Sequence, residues 1–285
     1  MTSICVVMAV HNRIDSVHCA LHSWALQTRK GFSVVVADDA STEDMCGLVK
    51  EYMGALNVFY VSTGGSVPRT VPVALNVGTK AVPLETTHLW YTDGDIIFNS
   101  KAMQVAYEHI ALHPNRVITG RYDWMPPMIF SPQDLERDFQ GFVDCRFPRR
   151  DVDAAHIVRR VDHRTGSRVP NWFQHQLLDS CRPILGANVI MPVQAWYDIG
   201  GWDEHIPGAN ANDCDFGWCL TDAGYHLLTC ECIIGYHQWH PRDIKTLELF
   251  KVSLPYIFRK HGEEVPDQWK PYDTFKEKNC GQVHL

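Results

Sequence analysis

The sequence predicts an α/β fold in which helices flank a mostly parallel sheet. In the first third of the chain, short and continuously apolar segments alternate with segments of helical periodicity. Continuously apolar strands are typical of parallel sheets that are covered on both faces. Three of these strands end in polar side chains. Because ligands of such sheets bind beyond the carboxyl ends of the strands, the pattern predicts a ligand site at that edge.

The first three predicted elements are a strand, a helix and a second strand. Ile4–Val10 is a short, β-branched and apolar run, and residues 15–26 carry apolar side chains at helical spacing. Residues 32–37 are again continuously apolar. The polar segments 11–13 and 38–39 follow the two strands, so both strand ends are candidates for ligand contact.

The next elements continue the alternation. A second helix is expected to run through Tyr52, with Ser41 as its N-cap and Asp44 three residues later in a variant of the capping box. The third strand, the third helix and the fourth strand are predicted at Asn57–Ser62, 70–81 and 87–92.

Two carboxylates, Asp93 and Asp95, stand two residues apart directly after the fourth strand. Mg²⁺ and Mn²⁺ prefer oxygen ligands and usually bind one or two carboxylates together with substrate phosphates. A nucleoside diphosphate is therefore the first ligand to expect. Asp-Gly is also a common turn dipeptide, so an Asp-x-Asp pattern by itself fits a solvated turn as well.

The composition is that of an ordinary globular protein. The 285 residues are 45% hydrophobic and 21% charged, which predicts one domain with a subdivided core. The net charge is −7 and no basic run is longer than a pair, so nothing resembles a nucleic-acid-binding stripe. The N-terminal apolar run is too short to span a bilayer and lacks a basic flank and a cleavage site. We therefore expect a cytoplasmic protein without a transmembrane anchor, and its 10 cysteines contain no C-x-x-C pair.

Four motifs follow one another in the first hundred residues: VMAVHNR at 7–13, VVADDAST at 35–42, ALNVG at 74–78 and TDGD at 92–95. In this order they resemble the nucleotide-sugar glycosyltransferases of family 2, which have the GT-A fold. The resemblance implies a single GT-A domain over residues 1–285, built on a Rossmann-like sheet. Its nucleotide-binding half would be 1–100 and its acceptor-binding half 101–285, with a C-terminal helical segment.

Three later motifs extend the resemblance: GGWDE at 200–204, NDCDF at 212–216 and YHQWHP at 236–241. Residues 251–260 are similar to a segment of the bacterial chondroitin-polymerase branch. The chain departs from the family at 210–212, where Asn-Ala-Asn stands in place of the usual glycine pair and glutamate. This change leaves the donor sugar open. Residues 122–183 match no family motif, and we expect them to form an acceptor-binding insertion.

The resemblance implies a nucleotide site at the strand ends. Asp39 would accept a hydrogen bond from a uracil N–H, with Asp38 as the second choice; an Asp before a helix also serves as a cap. Arg69 would reach the base or a phosphate, or it is a solvated loop residue. Asn76 would face the nucleotide, or it packs in the helix beside Gly78. The complete set is Val10, His11, Asn12, Arg13, Asp38, Asp39, Arg69, Asn76 and Asp93.

The resemblance also implies a site for Mn²⁺ or Mg²⁺. Asp95 would be the direct ligand, and Asp93 would coordinate through water or bind the ribose. Because Mn²⁺ is borderline in its ligand preference, a carboxylate and an imidazole can share it. His237 would be the third protein ligand. His240 is the competitor, since residues three apart in an extended segment point to opposite faces.

Asp213 holds the position of the general base in this family. Glycosyl transfer passes through an oxocarbenium-like state, and an inverting enzyme needs a carboxylate that takes the acceptor hydroxyl proton. Negative charge is also favourable at the start of a helix, so Asp213 and Asp215 fit a purely structural interpretation. The expected donor-sugar and acceptor contacts are Trp202, Asn212 and Asp215, and the rings of Trp172 and Trp239 also suit sugar faces.

The sequence therefore predicts a metal-dependent inverting transferase that moves a sugar from a nucleotide-sugar donor, expected to be a UDP-sugar, to a hydroxyl of a glycan or other acceptor. Two alternatives are open: a retaining enzyme in which Asp213 orients the substrate, and a sugar-nucleotide-binding protein without activity. A nucleotidyltransferase is disfavoured, because residues 10–13 contain no glycine where that class has a Gly-rich phosphate loop.

Overall fold

The computed structural model describes residues 2–125, 131–136, 161–162, 167–168, 184, 186–206, 211–241 and 246–273. The strands in these residues are β1 (Ile4–Val10), β2 (Ser33–Asp38), β3 (Asn57–Ser62), β4 (His88–Asp93), β5 (Ile96–Phe98), β6 (Val117–Trp124), β7 (Val161–Asp162), β8 (Ser167–Arg168), β9 (Asn188–Pro192) and β10 (Leu227–His237). Eight of them form one sheet in the order β3-β2-β1-β4-β9-β6-β10-β5, and β7 and β8 pair separately.

The helices are α1 (Ile14–Ala25), α2 (Met45–Tyr52), α3 (Val71–Lys80), α4 (Ala102–Leu112), α5 (Pro132–Glu136), α6 (Val193–Asp198), α7 (Asn212–Asp222) and α8 (Thr246–Lys260). A short 3₁₀ helix, Lys270–Tyr272, follows α8. Among the described residues, no helix is both long and apolar enough to cross a bilayer.

The first part of the sheet follows the predicted alternation of strands and helices. β1 pairs in parallel with both β2 and β4, and β2 pairs in parallel with β3. Every residue of β1 is buried, as expected for a strand that is covered on both faces. The predicted α/β class with a mostly parallel sheet is confirmed, and the seven elements from β1 to β4 begin and end near the predicted residues; only the start of α2 differs by several residues.

The prediction that Ser41 caps α2 is wrong. The helix begins at Met45, and the carboxylate of Asp44 accepts a hydrogen bond from the backbone N–H of Gly47 at 2.8 Å. Ser41 lies in the preceding loop, where its hydroxyl donates to Asp38. The N-cap differs from the prediction because Ser41 is bound to Asp38 in the loop. Asp44 instead satisfies a free N–H group of the first helical turn.

In the second part of the sheet, β9 and β5 run antiparallel to their neighbours. β9 lies between β4 and β6 and runs antiparallel to both. β5 pairs antiparallel with β10, which places His237 opposite Ile96. The end of β10 therefore lies beside the turn that contains Asp95, although 142 residues separate His237 from Asp95 in the sequence.

Alternate residues of β1 enter two cores on opposite faces of the sheet. Met8 packs in the core that contains Trp24 of α1, and Val7 packs in the core that contains Tyr91. A further cluster joins α7 to α8 through Trp218 and Phe258. The sheet is thus held from both sides, and α8 supports α7 from the outer side.

Candidate functional site

Three polar strand ends meet at one edge of the sheet, as predicted. β2, β1 and β4 are neighbours in the sheet, and all three run in the same direction. Residues 11–13, 38–39 and 93–95 therefore follow adjacent strand ends. The backbone N–H of Asp39 donates to the carbonyl of Val10, and that of Gly94 donates to the carbonyl of Ala9, which fixes the three segments to one another.

A possible metal site is formed by Asp95, His237 and His240, whose ligand atoms all lie within 4.8 Å of one another. Nε2 of His237 is 3.7 Å from Asp95 Oδ1, and Nε2 of His240 is 3.4 Å from Asp95 Oδ2. His237 and His240 do not lie on opposite faces, as an extended segment would place them. Because β10 ends at His237, the chain is no longer extended and brings both rings to the same carboxylate.

The hydrogen bonds of the two imidazoles define which nitrogens face Asp95. Nδ1 of His237 is 2.9 Å from the carbonyl of Gln238, and Nδ1 of His240 is 2.9 Å from the carbonyl of Pro241. A carbonyl only accepts, so both Nδ1 atoms carry protons. When the rings are neutral, the Nε2 lone pairs and the Asp95 carboxylate are all acceptors that lie close together. A cation bound between the two Nε2 atoms and Asp95 stabilises this arrangement.

Asp95 supplies a second indication that this site fits a cation. The residue is 7% exposed, and its Oδ1 has no hydrogen-bond partner among the described residues. A buried carboxylate oxygen without a partner is costly. One carboxylate and two imidazoles form a ligand set that suits Mn²⁺, since this ion accepts both oxygen and imidazole nitrogen.

The site carries excess negative charge. Burial, together with the charges of Asp95 and Asp213, raises the pKa of Asp93 well above its ordinary value, while Arg13 opposes the rise. Asp213 therefore lies close to the carboxylates that follow β4. Arg13 donates from Nη1 to Asp95 Oδ2 at 2.8 Å. Three neighbouring carboxylates with one guanidinium among their charged neighbours attract a further cation.

Asp38 organises the loops around the site. Its Oδ1 accepts from both the N–H and the hydroxyl of Ser41, and its Oδ2 accepts from the hydroxyl of Tyr60 at 2.7 Å. Ser41 Oγ in turn accepts from the backbone N–H of Asn12 at 2.7 Å, and the side chain of Asn12 accepts from Thr42. Both carboxylate oxygens of Asp38 are thus engaged in loop structure.

Asp39 is buried against the loop that follows β3. It accepts from Thr63 Oγ1 at 2.9 Å and from the backbone N–H of Arg69 at 2.9 and 3.0 Å. His11 Nδ1 lies 2.8 Å from the Asp39 carbonyl. A carboxylate offers about four acceptor positions, so Asp39 retains capacity for a donor from a ligand. The side chain of Arg69 is exposed.

Asn76 has a different place from the predicted one. Its amide nitrogen donates to the carbonyl of Trp202 and to Glu204, and its amide oxygen accepts from the N–H of Trp202 and from Nε1 of Trp196. All of its polar groups are therefore bound to protein. Asn76 joins α3 to the turn at Gly201, and this structural role replaces the expected nucleotide contact.

Trp202 also differs from its expected role as a sugar platform. The side chain is 2% exposed, and its ring stacks on Phe216 with centroids 3.7 Å apart. A Cβ on Gly186 would lie 3.2 Å from Asp213 Cβ and 3.3 Å from the Trp202 ring. Gly186 thus lies beside both Asp213 and the Trp202 ring, and the ring itself is buried in protein.

The first turn of α7 carries Asn212, Asp213 and Asp215 in different environments. Asn212 is buried. Asp215 is 2% exposed, and its two oxygens bind Lys260 and His261 at the end of α8 and just after it. The expected sugar contact of Asp215 is wrong, because its carboxylate points away from Asp213 and towards α8.

Residues with strained backbone conformations lie in the loops that carry the candidate site residues. Among the described residues, the non-glycine residues with positive φ are Asn12, Arg13, Ala40 and Ala211. Such conformations cost about 1–3 kcal/mol each and cluster at functional sites. All four adjoin candidate site residues. The positive φ of Ala40 and Ala211 was not predicted from the sequence. The one indication was that Ala211 stands where the family has glycine, a residue that adopts positive φ readily.

Comparison with known proteins agrees with this geometry. The family model described as "Glycosyl transferase family 2" matches residues 5–166, which is more than half of the 285 residues. The chain belongs to glycosyl transferase family 2. Its matched part includes the three strand ends and Asp95, whereas Asp213 and the two histidines lie beyond it.

Two relatives are similar to this family 2 chain along most of its length. Validoxylamine A glucosyltransferase of Streptomyces hygroscopicus subsp. jinggangensis is 25% identical over 282 residues, covering 92% of this chain and 62% of the relative. Chondroitin synthase of Escherichia coli is 23% identical over 275 residues, covering 90% of this chain and 39% of the relative. This chain therefore spans less than two thirds of the length of either relative.

Solved structures confirm the GT-A class for this family 2 chain. TarS 1-349 from S. aureus in complex with UDP-GlcNAc has a TM-score of 0.61 and 15% identity, and the match covers 96% of this chain and 70% of TarS. Mannosyltransferase PcManGT from Pyrobaculum calidifontis in complex with GDP-Man and Mn²⁺ also has a TM-score of 0.61 and 15% identity, covering 94% and 67%.

Some predicted features lie outside the described residues of this family 2 chain. They include Trp172 and most of the expected acceptor-binding insertion at 122–183. Trp239 is described and is partly buried next to His240.

Proposed function

We propose that this chain is a metal-dependent glycosyltransferase that moves a sugar from a UDP-sugar to a hydroxyl acceptor with inversion at the transferred carbon. The observation that carries the proposal is the cluster of Asp95, His237 and His240 next to Asp93 and Asp213. The relatives give support, because two are named as a glucosyltransferase and a chondroitin synthase. A structural neighbour with UDP-GlcNAc favours a UDP-sugar donor.

Asp95, His237 and His240 would hold Mn²⁺ or Mg²⁺. When bound, such an ion neutralises the charge that develops on a leaving diphosphate. The negative charge of the site supports this role, since burial and two neighbouring carboxylates already make the ionised form of Asp93 unfavourable. A neighbour of the same fold in complex with GDP-Man and Mn²⁺ gives further support.

The nucleotide would lie across the ends of β1 and β2. Asp39 can accept one further hydrogen bond, which suits the N–H of a uracil, and its bonds to Arg69 and Thr63 hold the carboxylate in place. Arg13 binds Asp95 with a side chain that is 48% exposed, and it would contact the phosphates. Asp38 and Asn12 keep these loops in position.

Asp213 would act as the general base. It stands at the first turn of α7, close to Asp93, and Gly186 lies beside both Asp213 and the ring of Trp202. In this position its carboxylate takes the proton of the acceptor hydroxyl as that oxygen attacks the sugar from the face opposite the diphosphate. We also propose that residues 1–285 act as one catalytic domain with a donor half at 1–100.

The test combines donor, metal and product analysis. The protein is incubated with UDP-, GDP- and TDP-sugars in the presence of Mn²⁺, Mg²⁺ or a chelator, and the nucleotide released is measured. We expect release from one UDP-sugar that depends on the ion. The anomeric configuration of the product, determined by NMR, separates inversion from retention.

Asp213→Asn is compared with Asp267→Asn as a matched control, because Asp267 is an exposed residue paired only with Lys270 in the described structure. We expect Asp213→Asn to keep donor binding and to lose transfer by about 10²–10⁴-fold, the range for positioned acid–base catalysis. Equal turnover in both variants would place the base elsewhere. Donor binding without release in the wild type would instead favour the inactive sugar-nucleotide-binding protein.

A further inference from the structure

Two cationic side chains at the C-terminal end of α8 bind the same buried carboxylate. Lys260 Nζ is 2.8 Å from Asp215 Oδ2, and His261 Nε2 is 2.9 Å from Asp215 Oδ1. The Asp215 side chain is 3% exposed, and that of His261 is 5% exposed. Charged pairs that are shielded from water in this way are strongly oriented.

Lys260 also joins this carboxylate to the segment that contains Trp202. Its Nζ is 2.9 Å from Asp203 Oδ2, and the hydroxyl of Tyr256 donates to the same oxygen at 2.8 Å. Although burial opposes it, the hydrogen bond from Lys260 lowers the pKa of Asp203 to about 2. One ammonium group therefore ties α8 both to the residue after Trp202 and to the first turn of α7.

His261 completes the contact. Its ring stacks on Trp218 of α7 with centroids 4.3 Å apart and an interplanar angle of 4°. Its Nδ1 is 3.3 Å from Asp222 Oδ2 at the other end of α7. Although burial opposes it, the hydrogen bonds with Asp215 and Cys219 raise the pKa of His261 to about 9. The imidazolium therefore contacts both ends of α7.

Asp215, Cys219 and His261 also bring three metal-ligating atoms within 4.8 Å of one another. Both oxygens of Asp215 already have a cationic partner, Lys260 at Oδ2 and His261 at Oδ1. The ammonium and the imidazolium supply the positive charge that the carboxylate requires. The observations therefore favour a charged clamp, formed by Lys260 and His261 on Asp215, over a second metal site.

We infer that Lys260 is a positioning residue for the proposed general base: by binding Asp203 and Asp215 together, it fixes the first turn of α7, which carries Asp213, to the segment that follows Trp202. Asp213 and Asp215 share this turn, and Ala211 before it has a strained positive φ of 62°. A strained turn of this kind persists only while contacts with the surrounding structure hold it. The inference rests on the proposed function, since the role given to Lys260 requires Asp213 to be the general base.

The test compares Lys260→Met with Lys270→Met, a control that removes a lysine paired only with the exposed Glu264 and Asp267 among the described residues. In Lys260→Met we expect kcat to fall about 10–100-fold, because a misplacement of about 1 Å can cost about 10²-fold. The Kd for UDP with Mn²⁺ and the KM for the donor should stay within about twofold. Lys260→Arg should recover most of kcat, because it keeps a charged donor.

Amide hydrogen exchange of residues 211–222 gives a readout that does not depend on activity. We expect faster exchange in the first turn of α7 in Lys260→Met than in Lys270→Met. If the wild type transfers no sugar, the proposed function fails, and exchange alone decides whether Lys260 orders the turn. Unchanged kcat in Lys260→Met, or unchanged exchange in an inactive protein, would overturn the inference. If Lys260→Met does not fold, Asp203→Asn removes only one of the two ion pairs and is measured in its place.

Discussion

Arg13 donates from Nη1 to Asp95 Oδ2 at 2.8 Å, across 82 positions of the chain. The same oxygen lies 3.4 Å from Nε2 of His240. Asp95 Oδ2 thus faces both the guanidinium and His240, while Oδ1 faces His237. The Arg13 side chain is 48% exposed and that of Asp95 only 10%, so Arg13 is the partner that can move when a ligand binds.

We expect Asp95→Asn to abolish the binding of Mn²⁺ and the part of UDP binding that depends on it. The amide preserves the shape of the side chain but loses the negative charge and one acceptor oxygen, both of which a hard cation requires. Calorimetric titration with Mn²⁺, and with UDP in the presence of Mn²⁺, measures both affinities. Asp267→Asn is the control. Equal UDP affinity in the two variants would contradict the metal assignment.

Arg13→Met should change the affinity for Mn²⁺ alone and the affinity for UDP with Mn²⁺ in opposite directions. Removal of a positive charge next to Asp95 should strengthen the binding of Mn²⁺ alone by at least roughly fivefold, which corresponds to the Coulomb term of about 1 kcal/mol for unit charges about 4 Å apart in bulk water. The affinity for UDP with Mn²⁺ should fall, because a phosphate contact is lost. Arg29→Met, at an exposed position beside Tyr107, is the control. Weaker binding of Mn²⁺ alone would show that Arg13 does not compete for Asp95.

The nucleotide side of the site could be predicted because its geometry follows from local rules. In a parallel sheet the carboxyl ends of adjacent strands meet at one edge, so residues after β1, β2 and β4 converge wherever the alternation is recognised. The order of β9, β6 and β10 could not be read in the same way. Those strands pair across long sequence distances, and β10 contains a register shift between Cys230 and Ile234.

The role of Asp215 could have been inferred from helix geometry. Residues advance by about 100° around a helix, so two residues that are two positions apart point about 200° apart. If Asp213 faces the cleft, Asp215 faces the opposite side. Its partners, Lys260 and His261, could not be predicted, because the contact of α7 with α8 is tertiary. The place of His240 depends likewise on the turn after His237.

The clamp predicts a pH dependence of stability. His261 has an ordinary pKa of 6.5 in the unfolded chain and about 9 in the fold. Because the folded value is raised, the stabilisation is complete below pH 6.5 and is lost as the pH rises through about 9. The titratable groups that act on the ring are Asp215, Asp222 and Cys219, and Lys260 shares Asp215 with it. The loss should reach at most about 3 kcal/mol.

Urea unfolding at pH 6 and pH 9 measures this effect. His261→Gln should lose stability at pH 6 and show a smaller difference between the two pH values than the wild type. His226→Gln, at an exposed position before β10, should keep the wild-type difference. An identical pH dependence in all three proteins would show that His261 is not charged in the fold.

Gly94→Ala should disturb both the core and the metal site. A Cβ at this position would lie 2.7 Å from Val10 Cγ1 and 3.1 Å from Val17 Cγ2. Both contacts are with stiff, buried side chains, so we expect a loss of about 1–3 kcal/mol in the free energy of unfolding, together with weaker Mn²⁺ binding. In Gly54→Ala nothing lies within 4 Å of the new Cβ, and its stability should change little. Thermal unfolding and Mn²⁺ titration of both variants check this prediction.

Ala211 allows a test of the strain before Asp213. Its φ of 62° costs about 1–2 kcal/mol for a residue with a Cβ. Ala211→Gly removes this cost, but it adds about 0.5–1 kcal/mol of backbone entropy and loses the burial of one methyl, about 0.8 kcal/mol. These terms nearly cancel, so the melting temperature should change by less than about 2 °C.

Ala211→Val should behave differently, because a β-branched residue is a true outlier at positive φ and the position is 2% exposed. We expect a loss of more than about 2 kcal/mol from strain and overpacking, and a fall in kcat that exceeds the change in donor affinity. Ala81→Val is the control, since Ala81 has a φ of −98° and is exposed. If Ala211→Val unfolds at the same temperature as Ala81→Val, the backbone before Asp213 is not strained, and the turn needs no clamp to hold the base.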